Sequence, residues 1–158
     1  MTDARFEDGA EQPLRLFAHD AEDLAVISAL VQDAVFPSAE MAWHPRQRRF
    51  AILLNRFRWE DRDAAAQAGR KFERVRAVLE INDVVRVRSQ GFARGAQDLV
   101  LSVLSIQFDA QEDGMGEILL TLAGDGLVAL QVECVNISLV DVTRPYIAPS
   151  GQAPNHPT

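Results

Sequence analysis

The chain has 158 residues, of which 47% are hydrophobic and 25% are charged, so it is long enough to bury the core of one domain. No apolar run approaches the roughly 20 residues that a membrane helix needs, and the first residues are too acidic for a signal peptide. The single cysteine, Cys134, cannot form an internal disulfide. We therefore predict a cytoplasmic protein that does not enter a membrane.

The formal net charge of -7 is distributed unevenly along the chain. Residues 46–94 hold 12 Arg and 1 Lys against 6 acidic residues, a net charge of +7. Residues 1–45 hold 2 Arg against 9 acidic residues, and residues 95–158 hold 1 Arg against 8, so each flank is at -7. This asymmetry indicates either a basic surface that binds an anionic partner or internal pairing with the acidic flanks.

The elements of the N-terminal third follow from the spacing of apolar residues. PLRLFA predicts a short strand, and Asp20 is placed to cap a helix through DAEDLAVISALVQDA, in which Leu24, Ile27 and Val31 recur at helical spacing. Pro37 ends this region. MAW and RRFAILLNRFRW, on either side of a turn at HPRQ, then predict a hairpin whose second strand is the longer.

Residues 62–80 fit both a helix and a strand face. A hairpin with a three-residue loop would pair Ile81 with Val85 and Glu80 with Arg86, which is consistent on both faces of a sheet. We therefore choose strands at about 74–81 and 85–92, with a loop before them.

The C-terminal third predicts three further strands, in DLVLSVLSIQFDA, EILLTLA and LVALQVECVNISLVDV. The last run changes its apolar face at Cys134 and Val135, which predicts one long strand bent by a β-bulge. Cys134 is then expected to be buried and inert. Residues 1–12 and a Pro-rich tail, 144–158, are predicted to be disordered, which leaves a single α+β domain at 13–143.

Together these elements predict an α+β fold. Its main part would be a curled antiparallel sheet or small barrel of about seven strands, covered by one N-terminal helix. A pleckstrin-homology-like barrel is the nearest known shape.

Three blocks of sequence occur in order: MAWHPRQRRFAILLNRFRWE, ERVRAVLEINDV and LTLAGDGLVALQVECVNISLVDV. In this combination the chain resembles the alphaproteobacterial proteins grouped as domain of unknown function 2948, over about residues 14–142. The resemblance implies a bacterial protein of an uncharacterised family. It implies no activity, cofactor or catalytic residue.

The sequence contains no metal or catalytic motif. Its three histidines show no HxxxH or HExxH spacing, and there is no CxxC pair. The segment DAQEDGMGE departs from a calcium loop, since Gln111 and Leu120 stand at its third and twelfth positions. We predict no metal, no cofactor and no catalytic residue. One alternative is an anion pocket at a hairpin tip, where His44 would act as a base beside Arg46.

The segment NRFRWEDR, residues 55–62, alternates arginine with aromatic residues. On a strand, Phe57 and Trp59 would share one face and Arg56 and Arg58 the other. We predict that the aromatic side chains are buried and that the arginines are exposed. The predicted positive face comprises Arg56, Arg58, Arg74, Arg76, Arg86 and Arg88.

The favoured hypothesis is a non-catalytic protein-interaction or regulatory module that uses these arginines. Its partner would be an acidic protein surface, or its own copy in a homodimer. The first alternative is RNA or DNA binding through the same arginines, but a strand that separates cations from aromatic residues suits single-stranded nucleic acid poorly. We expect no such binding at physiological salt. The second alternative is an enzyme with a site near His44.

Overall fold

The computed structural model describes residues 13–92, 99–147 and 153–154. In these residues two α-helices, α1 (Ala21–Val31) and α2 (Arg62–Ala68), accompany eleven strands. The strands are β1 (Arg15–Ala18), β2 (Val35–Pro37), β3 (Met41–His44), β4 (Arg49–Phe57), β5 (Glu73–Ile81), β6 (Val84–Gln90), β7 (Val100–Ala110), β8 (Gly116–Leu122), β9 (Gly126–Val132), β10 (Ile137–Asp141) and β11 (Tyr146–Ile147).

The predicted N-terminal helix is confirmed as α1. Its N-cap is Asp20, whose Oδ1 accepts a hydrogen bond of 2.8 Å from the backbone N–H of Asp23. The side chains of Leu24, Ile27 and Val31 are buried, as their helical spacing predicts. They join the main hydrophobic core, so α1 packs on the core side of the sheet.

The predicted hairpin after Pro37 is also confirmed. β3 pairs antiparallel with β4, and Trp43 lies opposite Phe50. The turn between these strands is a short 3-10 helix, Pro45–Gln47, whose C-cap Arg48 is in the left-handed conformation with a φ of 53°.

The strands form one antiparallel sheet in the order β1-β10-β5-β4-β2-β7-β8-β9-β6, with β11 paired to β5 and β3 to β4. A large antiparallel sheet with few helices agrees with the predicted α+β class. The predicted number of about seven strands is wrong. In the described residues β1 and β6 stand at opposite ends of the strand order, so the predicted barrel and its pleckstrin-homology-like shape are not confirmed.

β5 and β6 occupy the predicted positions, but the predicted hairpin between them is wrong. β5 lies between β10 and β4, whereas β6 pairs with β9 at the far end of the sheet. The backbone of Asn82 donates to Asn136 at 2.9 Å, and the carbonyl of Asp83 accepts from Glu133 at 3.0 Å. These bonds replace hairpin bonds, so Glu80 does not lie opposite Arg86 but opposite Ala51 and Ser138.

The predicted long last strand is two strands, β9 and β10, separated by residues 133–136. β9 pairs with β8 and β6, whereas β10 pairs with β1 and β5. The change of apolar face at Cys134 therefore marks the place where the chain passes from one part of the sheet to another, not a bulge. Cys134 is exposed at this crossing, which corrects the prediction that it is buried.

The two sides of β4 and β5 differ in burial. Phe50, Ile52 and Leu54 of β4 are buried in the main core together with Ala77 and Leu79 of β5. We call the opposite side the outer face. In the register of the two strands it carries Ala51, Leu53, Asn55, Arg76, Val78 and Glu80.

Part of the predicted disordered tail is a strand. Tyr146 and Ile147 form β11, which pairs with Arg74 and Glu73 of β5. The predicted disordered residues 1–12, together with 148–152 and 155–158 of the tail, lie outside the described residues.

Candidate functional site

Arg56, predicted to lie on an exposed positive face, is a fully buried side chain. Its Nε and Nη2 donate to both carboxylate oxygens of Asp141 in β10, at 3.0 and 2.9 Å. Its Nη1 and Nη2 donate to both oxygens of Glu60, at 2.9 and 2.7 Å, and Nη1 also reaches the carbonyl of Phe57 at 3.3 Å. Because all of its donor nitrogens are used inside the protein, Arg56 cannot bind an external partner.

The register of β4 explains why the prediction for Arg56 is wrong. Phe50, Ile52 and Leu54 point into the core, and Arg56 continues that alternation. Phe57 is also buried although it lies on the outer face, where the rings of Trp59 and Phe72 pack against it. Both sides of the strand are thus buried at this end, which no single alternating pattern predicts.

The charges around Arg56 hold it in its ionised form. Burial by itself would lower the pKa of Arg56, but the hydrogen bonds to Glu60 and Asp141 outweigh burial and raise that pKa. Burial by itself would raise the pKa of Glu60, but the hydrogen bond from Arg56 lowers it overall. Asp141 Oδ2 also accepts from the backbone N–H of Leu14 at 2.9 Å, which ties β10 to the residue before β1.

The remainder of NRFRWEDR is likewise used in internal contacts. Arg58 donates to Glu73 at 2.6 Å and lies 3.6 Å from Asp61, which also binds Arg70 at 3.2 Å. Burial of Phe57 is confirmed. Trp59 is only half-buried and stands in a 3-10 turn, not on the strand.

The aromatic residues at this end of the sheet form a small cluster. The rings of Phe57 and Trp59 pack edge to face with centroids 4.7 Å apart, and the ring of Phe72 lies 5.8 Å from that of Phe57. Trp59 Nε1 donates to the carbonyl of Gln32 at 2.9 Å, which joins the cluster to the residue after α1. The cluster therefore helps to stabilise the fold at this end of the sheet, and the guanidinium of Arg62 lies 5.5 Å from the ring centroid of Trp59.

The other predicted arginines do not form one surface. Arg86 and Arg88 are exposed on β6, at one end of the strand order, and Arg88 pairs with Glu117 at 2.6 Å. Arg74 and Arg76 lie on the outer face of β5. The six predicted residues are thus divided among the protein interior, β6 and the outer face.

Arg74 and Arg76 differ in their surroundings. Arg74 is half-buried, and its Nη1 donates to the carbonyl and the side-chain oxygen of Asn55, at 3.1 and 3.2 Å. The amide of Asn55 in turn donates to the hydroxyl of Tyr146. Burial lowers the pKa of Arg74. Arg76 is exposed, and within the described residues its side chain has no hydrogen bond or ion pair.

His44 and Arg46 lie at the tip of the β3–β4 hairpin, where both are exposed. Neither side chain has a hydrogen bond or ion pair to another residue of the described chain. The predicted grouping of these two residues in an anion pocket thus gains no support from their contacts.

A groove with a volume of about 240 Å³ opens beside β4. It arises where β4 changes its neighbour, because Ile52 lies opposite Met41 of β3 but Asn55 lies opposite Val35 of β2. On the side of β4 where β2 and β3 pair with it, no strand residue lies opposite Leu53 or Leu54. The groove is lined by Val35, Phe36, Pro37, Glu40, Leu53, Leu54, Asn55, Arg76 and Val100.

Most of this lining was not singled out from the sequence. The run FAILL, residues 50–54, is apolar at every position, so it places Leu53 on the face opposite the core and gives a usable signal. The apolar start of β7 gives another, since Val100 is 66% exposed. Arg76 is the one predicted binding residue that lines the groove.

A family model described as protein of unknown function (DUF2948) matches residues 14–156 of the 158-residue chain. The chain is a member of the DUF2948 family. This confirms the resemblance carried by the three sequence blocks and extends it toward the C-terminus. No curated protein and no solved structure matches the chain.

Two kinds of feature are absent from the described part of this DUF2948 protein. No group of three or more His, Cys, Asp or Glu residues there is placed to hold a metal ion. No helix there is both long enough and apolar enough to cross a membrane.

Proposed function

We propose that this DUF2948 protein is a non-catalytic protein-interaction module and that it binds its partner through the groove beside β4. The observation that carries the proposal is the groove itself, whose floor is apolar and whose rim bears two charged residues, Arg76 and Glu40. Neither side chain forms an ion pair with another described residue. Apolar concavities with a few polar groups on the rim are typical binding sites.

The surface next to the groove supports a protein as the partner. Leu53, Val78 and Val140 are neighbours in register across β4, β5 and β10, and all three are only half-buried. The water-facing side of an antiparallel sheet usually carries polar residues. A row of aliphatic side chains beside an open groove is instead typical of a contact surface.

The distribution of charge favours a protein over a nucleic acid. Arg56 and Arg58 are occupied by carboxylates, and Arg88 pairs with Glu117. Phe17 is an exposed aromatic residue, 53% accessible, and the guanidinium of Arg15 lies 5.8 Å from its ring centroid. On the other side, its neighbours in register are Ser138 and then Glu80. A polyanion would meet a carboxylate there, and the chain as a whole is at -7.

The test is a crosslinking pull-down from the native lysate with three baits. These are the wild-type protein, Val100→Glu on the groove wall and Val26→Glu on α1. Val26 and Val100 are 54% and 66% exposed, so both substitutions should be tolerated by the fold. We expect a set of proteins that the wild type and Val26→Glu capture and that Val100→Glu loses.

Equal capture by both variants would contradict the proposal. A homodimer is the second arm of the same test. If the groove binds another copy of the chain, sedimentation should show a dimer for the wild type and Val26→Glu, and a monomer for Val100→Glu.

A further inference from the structure

The two charges on the groove rim have a defined order along β4. Glu40 directly precedes Met41, which lies opposite Ile52. Arg76 lies opposite Asn55 on β5. The backbone positions of Glu40 and Arg76 therefore lie on opposite sides of Leu53, and both residues line the groove.

The groove is small. Its volume of about 240 Å³ lies below the range of roughly 300–1,000 Å³ that ordinary small-molecule pockets occupy. It can therefore take one medium-sized apolar side chain and not an extended ligand. Because Arg76 lines the groove, its charge acts on groups of the ligand that are bonded close to the bound apolar side chain.

A second arginine lies behind Arg76. Arg74 is its neighbour on the same face of β5, and the guanidinium of Arg74 donates to Asn55, a groove residue. Asn55 is held from its other side by Tyr146 of β11. The guanidinium of Arg74 therefore adds positive charge beside the groove, which the carboxylate of Asp33 partly offsets.

We infer that the groove binds the C-terminal residue of a partner protein, with an apolar side chain in the groove and the terminal carboxylate on Arg76. This inference rests on the proposed interaction function. A C-terminal residue carries the side chain, the carboxylate and a backbone N–H on one Cα. Glu40 then accepts from the backbone N–H, so both rim charges are satisfied by a single residue.

An acidic side chain fits less well than a chain end. In an extended peptide a carboxylate on the next residue points to the opposite side, and one on the second residue is about 7 Å away along the strand. An acidic residue at either position cannot reach Arg76 while the apolar side chain of its neighbour occupies the groove. Docking of a chain end through its carboxylate is a known mode of peptide recognition.

The test uses NMR titration of the whole protein with defined probes. The main probe is an acetylated tetrapeptide that ends in leucine with a free carboxylate, and its matched control is the same peptide as a C-terminal amide. A third probe carries glutamate before a C-terminal leucinamide, and the fourth is free leucine. We expect the free-acid peptide to bind at least about tenfold more tightly than the amide and to shift the amide signals of Leu53 and Asn55.

The matched variants are Arg76→Gln and Arg86→Gln, two exposed arginines without an ion pair among the described residues. Unchanged spectra away from the site verify that each variant is folded. We expect Arg76→Gln to reduce the affinity for the free-acid peptide by about tenfold and to leave the affinity for the C-terminal amide unchanged. Arg86→Gln should change neither affinity.

Four results would overturn the inference. They are equal binding of acid and amide, stronger binding of the internal glutamate peptide, stronger binding of free leucine, and no binding of any probe. Each result leaves the pull-down with Val100→Glu unaffected. The interaction function can therefore stand while the C-terminal ligand is rejected. If the peptide binds as expected but Val100→Glu captures the same proteins as the wild type, the proposed interaction function is rejected.

Discussion

The guanidinium of Arg56 and the carboxylate of Asp141 face each other with two hydrogen bonds, at 3.0 and 2.9 Å, inside the protein. The carboxylate of Glu60 accepts two further hydrogen bonds from the same guanidinium. Three parts of the chain, β4, the turn after it and β10, are joined at this one side chain. The segment that most resembled a binding surface in the sequence is thus part of the internal structure.

Replacement of Arg56 by methionine should strongly destabilise the fold, because it leaves the buried carboxylate of Asp141 without its cation. Removing one partner of a buried ion pair typically costs about 3 to 5 kcal/mol. The free energy of unfolding, measured by urea denaturation, should fall by this amount. Arg86→Met is the matched control and should change it by less than about 0.5 kcal/mol. A similarly small effect of Arg56→Met would place Arg56 on the surface.

The pair of Arg56 and Glu60 predicts a loss of stability in acid. The pKa of Glu60 is lower in the folded protein than its ordinary value of 4.5, so the unfolded chain takes up the proton first. The contribution of Glu60 is complete above pH 4.5 and is lost as the pH falls through the folded pKa. Urea denaturation between pH 7 and 3 should show the wild type approaching Glu60→Gln in stability at the acidic end. A constant difference between the two proteins would refute this coupling.

The aromatic cluster predicts unequal effects for its two members on the NRFRWEDR segment. Phe57 is fully buried, so Phe57→Ala should cost about 3 to 5 kcal/mol of the free energy of unfolding. Trp59→Phe keeps a ring in place and removes the hydrogen bond to Gln32, so it should cost only about 0.5 to 1.5 kcal/mol. Thermal and urea unfolding of both variants measure the difference. A larger loss for Trp59→Phe would show that the indole hydrogen bond matters more than the buried ring.

The thiol of Cys134 should react slowly although it is exposed. Partial burial and the neighbouring carboxylate of Asp83, 3.4 Å from the sulfur, raise its pKa above the ordinary value of 9.0. Asp83→Asn removes the negative charge and tolerates the positive φ of 58° at this position, so it should lower the thiol pKa. The alkylation rate increases with pH as the thiol ionises. Measured from pH 7 to 10, this increase should begin at a lower pH in Asp83→Asn than in the wild type. Identical profiles would mean that Asp83 does not influence the thiol.

Features within single elements could be predicted from the sequence. Spacing over a few residues predicts the cap at Asp20, the buried side of α1 and the β3–β4 hairpin. It also predicts the strands near 74–81 and 85–92, which the structure places at Glu73–Ile81 and Val84–Gln90. These features depend on contacts between residues close in the chain, where the backbone period alone decides which side chains share a face. The three sequence blocks likewise identified the family without reference to the fold.

The tertiary structure decided which strands pair and therefore which residues reach the surface. β5 and β6 are consecutive in the chain, but their partners come from β4, β10 and β9, far away in sequence. Arg56 is buried between two counter-charges, and one of them, Asp141, comes from 85 residues later in the chain. The groove beside Leu53 exists because β2 and β3 leave a gap along β4. A local pattern does not contain these outcomes, since the free energy that selects them comes from contacts formed only when distant segments meet.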